Sequence, residues 1–206
     1  GGHWHELYAR PDQPWHLELG CGKGGFLAQI APAHPDINYL GIDITDKVLI
    51  LAKRKVEAAY AARGIPADNV KIASLDIERL GNAFTPEDRV SRIYINFCNP
   101  WSKNAGSNKH RLTHPRQLLQ YRQLMDEGAE IWFKTDDDDL FRDSLSYFPA
   151  AGFEITWQTF DLHKNEPDWN LRTEHEGMFS KGPDSTVTWV EPKALAKQQE
   201  AEDDAD

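Results

Sequence analysis

The residues best suited to chemistry gather around one glycine run, Glu18-Leu19-Gly20-Cys21-Gly22-Lys23-Gly24-Gly25. Glycines at this spacing let the backbone turn sharply and let a ligand approach with no Cβ in the way. The run satisfies two templates. Gly20, Gly22 and Gly25 fit the G-x-G-x-x-G of dinucleotide binding, and Gly20, Gly22 and Gly24 fit the G-x-G-x-G of S-adenosylmethionine binding. A tight strand-to-helix turn with no ligand is the bland alternative. Three acids help to separate these readings. Asp43 closes a second apolar run, where a carboxylate can accept both ribose hydroxyls of either cofactor. Glu18, two residues ahead of the first glycine, could meet the positively charged amino acid end of S-adenosylmethionine, whereas beside a pyrophosphate its charge would repel. Asp76 follows a third apolar run and could accept from an adenine amino group, or simply cap a helix over Ile77-Glu78-Arg79-Leu80. Acids at three successive strand ends favour the methyl donor over a nicotinamide cofactor.

A second constellation is Asn96-Phe97-Cys98-Asn99-Pro100-Trp101-Ser102-Lys103. A polar residue ahead of Pro and an aromatic is common on the substrate side of methyltransferases that act on nitrogen. Proline fixes the turn, the aromatic offers a stacking face, and the polar group meets the target base. As structure alone it is a turn with a surface tryptophan. The run Asp136-Asp137-Asp138-Asp139 suggests magnesium at first sight, but consecutive acids opening a helix are more often caps and dipole partners, so no metal is expected. Cys21 and Cys98 read as small core or site-wall residues rather than nucleophiles.

These groups need a scaffold that brings strand ends together. Residues 15–19 read as a strand, 23–31 as a helix after the glycines, 38–42 as a second strand and 46–63 as a long helix with Leu49, Ala52, Lys53 and Val56 at helical spacing. Strands follow at 70–73, at 91–97 and at 129–134, then a helix at about 138–150 and closing strands at 153–162 and 185–191. Alternation of this kind predicts a doubly wound α/β fold with a mostly parallel sheet, whose ligands sit beyond the carboxyl ends of the strands.

Composition sets the outer bounds. A chain of 206 residues is about one and a half times a usual domain, and 40% hydrophobic residues suffice for one core. Apolar runs such as 48–52 fall far short of the roughly 18 residues that span a bilayer. No signal peptide is visible, and two cysteines are too few for a disulfide framework, so a cytoplasmic setting is expected. The formal charge of −10 argues on its face against nucleic acid. The charge is unevenly spread, however. From Glu191 onward six acids face only two lysines, which reads as a disordered acidic end. Residues 89–125 contain no acid but seven Lys or Arg, namely Arg89, Arg92, Lys103, Lys109, Arg111, Arg116 and Arg122, so one basic face is expected.

Taken together, Leu17-Glu18-Leu19-Gly20-Cys21-Gly22-Lys23-Gly24, Gly41-Ile42-Asp43, Asn99-Pro100-Trp101 with Lys103, Lys109-His110-Arg111-Leu112-Thr113, Phe133-Lys134-Thr135-Asp136 and Thr173-Glu174-His175-Glu176 resemble, in order, the bacterial tRNA (guanine-N(7)-)-methyltransferase family. The resemblance covers nearly the whole chain before the acidic tail. It implies a class I S-adenosylmethionine-dependent methyltransferase (Rossmann-like) fold over residues 14–191, after an extension at 1–13 and before a tail at 192–206. It implies methylation of a variable-loop guanine of tRNA at N7, giving 7-methylguanosine and S-adenosylhomocysteine, by a monomer or homodimer. Glu18, Asp43, Asp76 and Asn99 would then hold the donor beside Gly20, Gly22 and Gly24, with Asn99 at the position usually labelled catalytic. Lys103, Asp136, Thr173, Glu174, His175 and Glu176 would match substrate-contacting positions. Residues 105–110 would touch RNA, with Lys109 and Arg111 on phosphates, His110 beside them and Trp101 stacking on the base.

Two departures stand out. Many relatives have Asp where this chain has Asn99; Asn keeps an acceptor oxygen but loses the charge. The segment 103–110 is a residue longer and poorer in Lys and Arg than the family's basic stretch, which predicts weaker tRNA binding and would be contradicted by an unusually steep dependence on salt. These departures keep open a methyltransferase-like protein that binds RNA with weak or no turnover. A nicotinamide-dependent oxidoreductase survives only through Gly25.

Overall fold

A computed structural model describes residues 1–101, 105–160, 162, 168, 171 and 186–192. Strand β1 (Trp15–Leu19) is buried at every position, as expected of a strand covered on both faces. It pairs in parallel with β2 (Asn38–Asp43) on one side and β4 (Val90–Asn96) on the other. Outside these lie β3 (Val70–Ser74), parallel to β2, and β5 (Met125–Thr135), parallel to β4. The edge beyond β5 is antiparallel. Strand β7 (Thr186–Pro192) pairs with β5, and β6 (Phe153–Thr159) pairs with β7, giving the order β3-β2-β1-β4-β5-β7-β6. The chain winds outward from β1 to β3 and then returns to lay β4 against the other side of β1. Strand order reverses between β1 and β4, so the crevice of a doubly wound sheet opens beyond the ends of those two strands. The expected α/β, mostly parallel architecture is the one observed.

Among the described residues, four α-helices flank the sheet: α1 (Gly25–Ala33), α2 (Asp46–Arg63), α3 (Pro115–Leu124) and α4 (Asp138–Ala150). Helix α1 starts two residues later than its sequence suggests, because Gly24 takes φ +80° and serves as its N-cap. A Cβ at Gly24 would lie 2.8 Å from the Cα of Ala52, so this glycine also lets α1 and α2 approach closely. Asp137 caps α4, accepting from the Leu140 amide at 2.7 Å, so the acidic run opens a helix. Helix α3 adds to the elements expected from the sequence; Pro115 sits in its first turn and Leu118, Tyr121 and Leu124 lie along its buried side. Its last residue passes directly into β5, which begins at Met125 rather than at 129. The β4–β5 register shifts between Val90 and Arg92, opposite a stretch containing Gly128 at φ +78°.

The main core lies between the sheet and α3 and α4, and includes Leu17, Ile93, Ile131, Phe133, Phe141 and Phe148. Residues 1–13 pack onto it. Trp4 stacks 5.1 Å from Phe84 and 6.2 Å from Trp15, and the Tyr8 hydroxyl donates to the Tyr39 carbonyl at 2.8 Å. Among the described residues no helix is long and apolar enough to cross a membrane.

Candidate functional site

The glycine run leaves β1 and folds back onto β2. The amides of Gly20 and Cys21 donate to the Ile42 carbonyl at 2.8 and 2.9 Å, and the Gly22 amide donates to Asp43 Oδ2 at 3.0 Å. Gly20 and Gly22 hold φ of +76° and +53°, backbone that side-chain-bearing residues adopt at a cost. A Cβ on Gly22 would meet nothing within 4 Å, so there is open room beside the turn. Asp43 Oδ1 accepts from the Thr45 amide at 3.0 Å. Each of its oxygens thus accepts one backbone hydrogen bond and keeps capacity for a second, as a carboxylate facing two hydroxyls requires.

Glu18 sits at the end of β1, only 3% exposed. One carboxyl oxygen accepts from Asn96 Nδ2 at 3.3 Å, and Oε2 has no hydrogen-bond partner. Burial pushes its carboxyl up to about 8; the Asn96 hydrogen bond works against the rise and the nearby Asp43 charge adds to it. A buried acceptor with nothing to accept is costly, and a positively charged donor group is the partner that would both satisfy and ionise it.

Beyond the strand ends lies a cavity of about 490 Å³, within the range of small-molecule sites. The glycine loop contributes Gly20, β2 ends in Asp43 and Ile44, the turn after β3 supplies Asp76 and Glu78, and the turn after β4 supplies Phe97, Cys98, Asn99 and Trp101. Leu75, Ile77, His110 and Leu112 also line it, and Glu18 does not. Asp76 lines the cavity, and its Oδ1 accepts from the Glu78 amide at 3.0 Å as the cap of the 3-10 helix Ile77–Asn82. Burial pushes the Cys98 thiol up to about 12, which leaves it a wall residue rather than a thiolate nucleophile. Ile44, Glu78 and Leu112 were not singled out in the sequence, where only their nearness to Asp43, Asp76 and Arg111 could have marked them.

The turn after β4 is strained. Phe97 and Trp101 both have positive φ, +52° and +50°, a conformation costing on the order of 1 kcal/mol or more for such residues. Hydrogen bonds among the described residues hold it. The Phe97 amide donates to the Lys134 carbonyl at 2.9 Å, the Trp101 amide to Asn99 Oδ1 at 3.0 Å, and Arg111 Nε to the Pro100 carbonyl at 2.7 Å. Asn99 is exposed and Trp101 is 40% exposed, both facing the cavity.

Arg111 corrects an expectation. The cationic run predicts a phosphate contact here, yet Arg111 is 2% exposed, and its Nη1 donates to Asp143 at 2.6 Å and to the Tyr147 hydroxyl at 3.1 Å. It anchors the Asn99 turn to α4 and presents no guanidinium to solvent. Lys109 is exposed, as expected of a phosphate contact. Asp136 is exposed at the end of β5, outside the cavity wall. Lys103, Thr173, Glu174, His175, Glu176 and the acidic tail from 193 onward lie outside the described residues.

Comparison with known proteins agrees with this geometry. Residues 12–187 match a family described as "Putative methyltransferase". The chain is 51% identical over 180 residues to the tRNA (guanine-N(7)-)-methyltransferase of Clostridium perfringens (strain SM101 / Type A), covering 87% of this chain and 82% of that one. Its fold matches the structure of an antibiotic-related methyltransferase at a TM-score of 0.63 with 15% identity, over 92% of this chain and 90% of the other. It also matches an S-adenosylmethionine-dependent methyltransferase from Clostridium acetobutylicum ATCC 824 at 0.55 with 11% identity, over 88% and 85%.

Proposed function

The chain belongs to the tRNA (guanine-N(7)-)-methyltransferase family, and from that premise we propose how its own residues carry the reaction. The activity is methylation of guanine N7 in tRNA, with S-adenosylmethionine as donor and S-adenosylhomocysteine as by-product. We assign the target to a guanine of the variable loop and the reaction to the cytoplasm. Family membership favours turnover over the binding-only reading and methyl transfer over a nicotinamide enzyme.

The observation that carries the donor assignment is the unpartnered, buried Oε2 of Glu18 beside the glycine turn. Glu18 would hold the donor's ammonium, Asp43 its ribose hydroxyls and Asp76 its adenine amino group, with Gly20, Gly22 and Gly24 giving the backbone room. Bound there, S-adenosylmethionine supplies an electrophilic sulfonium methyl group. Guanine N7 offers a lone pair and carries no proton, so none of the chain's residues has to act as a base, and positioning does most of the work. Trp101 offers the extruded base a stacking face, and Asn99 keeps the Trp101 amide in place through its Oδ1. Extrusion costs a few kcal/mol, which stacking and a phosphate contact from Lys109 offset. Lys103, Asp136 and the 173–176 segment complete this assignment on the substrate side.

Incubation of the protein with unmodified tRNA and methyl-labelled donor, followed by digestion to nucleosides, tests the reading. Label in 7-methylguanosine is expected. Label in another nucleoside, or none, overturns it.

A further inference from the structure

The donor side and the base side of the cavity are joined by a side-chain contact for which the reaction described above has no use. Glu78 follows Asp76 on the turn after β3, and its amide is held by Asp76 Oδ1 at 3.0 Å. Its carboxylate Oε1 lies 2.5 Å from Nδ1 of His110, 32 residues along the chain. A carboxylate can only accept, so the ring nitrogen facing it carries the proton and the orientation of the imidazole is fixed. That ring lies 5.2 Å from the ring of Trp101, tilted by 44°. All three side chains line the cavity. The backbone is pinned on both sides of the pair: Gln120 Nε2 donates to the Glu78 carbonyl at 3.2 Å, and Gln117 Nε2 donates to the carbonyl of Lys109 at 2.9 Å.

We propose that Glu78 is a positioning residue for the substrate base: through His110 it sets the Trp101 face on which the extruded guanine stacks, and it ties that face to the turn that carries Asp76. This role rests on the reading of the site as the place where donor and guanine meet. A simpler role for the pair is a solvated surface ion pair, since the side chains are 36% and 31% exposed and such pairs contribute little. The two differ in what the pair acts on. A surface pair would touch stability alone, whereas a positioning pair acts on tRNA turnover while the donor's own contacts stay intact.

Steady-state kinetics of Glu78→Ala, Glu78→Gln, His110→Ala and the double alanine variant decide between them, with S-adenosylhomocysteine affinity measured in parallel. Glu78→Ala is expected to lower kcat/KM for tRNA by about tenfold, a loss in keeping with a charge-assisted hydrogen bond, and to change S-adenosylhomocysteine affinity by less than about twofold. Glu78→Gln, whose amide oxygen still accepts from His110, retains activity within about threefold. The double variant loses no more than His110→Ala alone, because the two residues act in series. Additive losses, equal losses for Ala and Gln, unchanged turnover in Glu78→Ala, or a parallel fall in donor-product affinity would each overturn the role. Wild-type protein that leaves tRNA unmethylated overturns the reading of the site itself, and this role with it.

Discussion

Glu18 carries a measurable signature. Its carboxyl moves from an ordinary 4.5 to about 8 on folding, so the folded protein binds a proton that the unfolded chain has given up between those values. Glu18's contribution to stability is therefore fully present below about pH 4.5 and is lost as pH rises towards 8, by roughly 1.4 kcal/mol per pH unit over that window, while buried His16, held down to about 3, contributes the opposite slope below about 6.5. The difference in stability between wild type and Glu18→Gln, read from urea melts across the window, should carry this slope, and a difference that does not vary with pH would contradict it. A donor whose ammonium meets Glu18 stabilises the ionised form, so binding near pH 7 should release close to one proton. Calorimetry with S-adenosylhomocysteine in two buffers of different ionisation enthalpy measures it, and equal proton release in Glu18→Gln would contradict the assignment. Asn99 predicts a different pattern. Its Oδ1 accepts the Trp101 amide, a bond that Asp makes equally well and Ala cannot. Asn99→Asp should stay within about threefold of wild-type kcat/KM, while Asn99→Ala falls by about tenfold or more. Similar rates for all three would mean that the turn does not orient the reaction.

At the level of elements, the Asn99 turn is held by α4 through Arg111. Removing that side chain leaves the Pro100 carbonyl without its donor and Asp143 without its cation. Arg111→Ala should destabilise the fold by about 2 kcal/mol, seen as a lower urea midpoint at unchanged slope. A variant of full stability that loses only tRNA affinity would restore Arg111 to the RNA surface. A run of cations shows charge but not burial, and the acid that satisfies Arg111 lies 32 residues away, on α4. The same distance hid the Glu78–His110 pair. Features written locally were legible. Helix α2 ends where Gly64 takes a left-handed turn, α4 starts after its Asp137 cap, and the glycine run folds beside Asp43 as its spacing suggested. Helix α3 and the start of β5 were harder to see because no linker separates Leu124 from Met125, and the irregular register around Gly128 blurs the strand's period.

For the whole molecule, a chain with a formal charge of −10 must bind a polyanion through local cations. With Arg111 buried, Lys109 is the exposed cation left in the described part of the 105–111 segment. Each phosphate neutralised contributes about 0.9 to the slope of log affinity against log salt, so a slope shallower than about −3 is expected. A steep slope in filter-binding titrations would require a larger basic surface than this segment offers. The central claim is that guanine N7 is the acceptor and that positioning, without a base, suffices. It is tested most directly by methyl transfer to two tRNA transcripts, one normal and one with 7-deazaguanosine in place of the target guanosine. The account predicts stoichiometric label on the first and none on the second, whose ring carries a C–H where the lone pair should be. Equal labelling of both would contradict it.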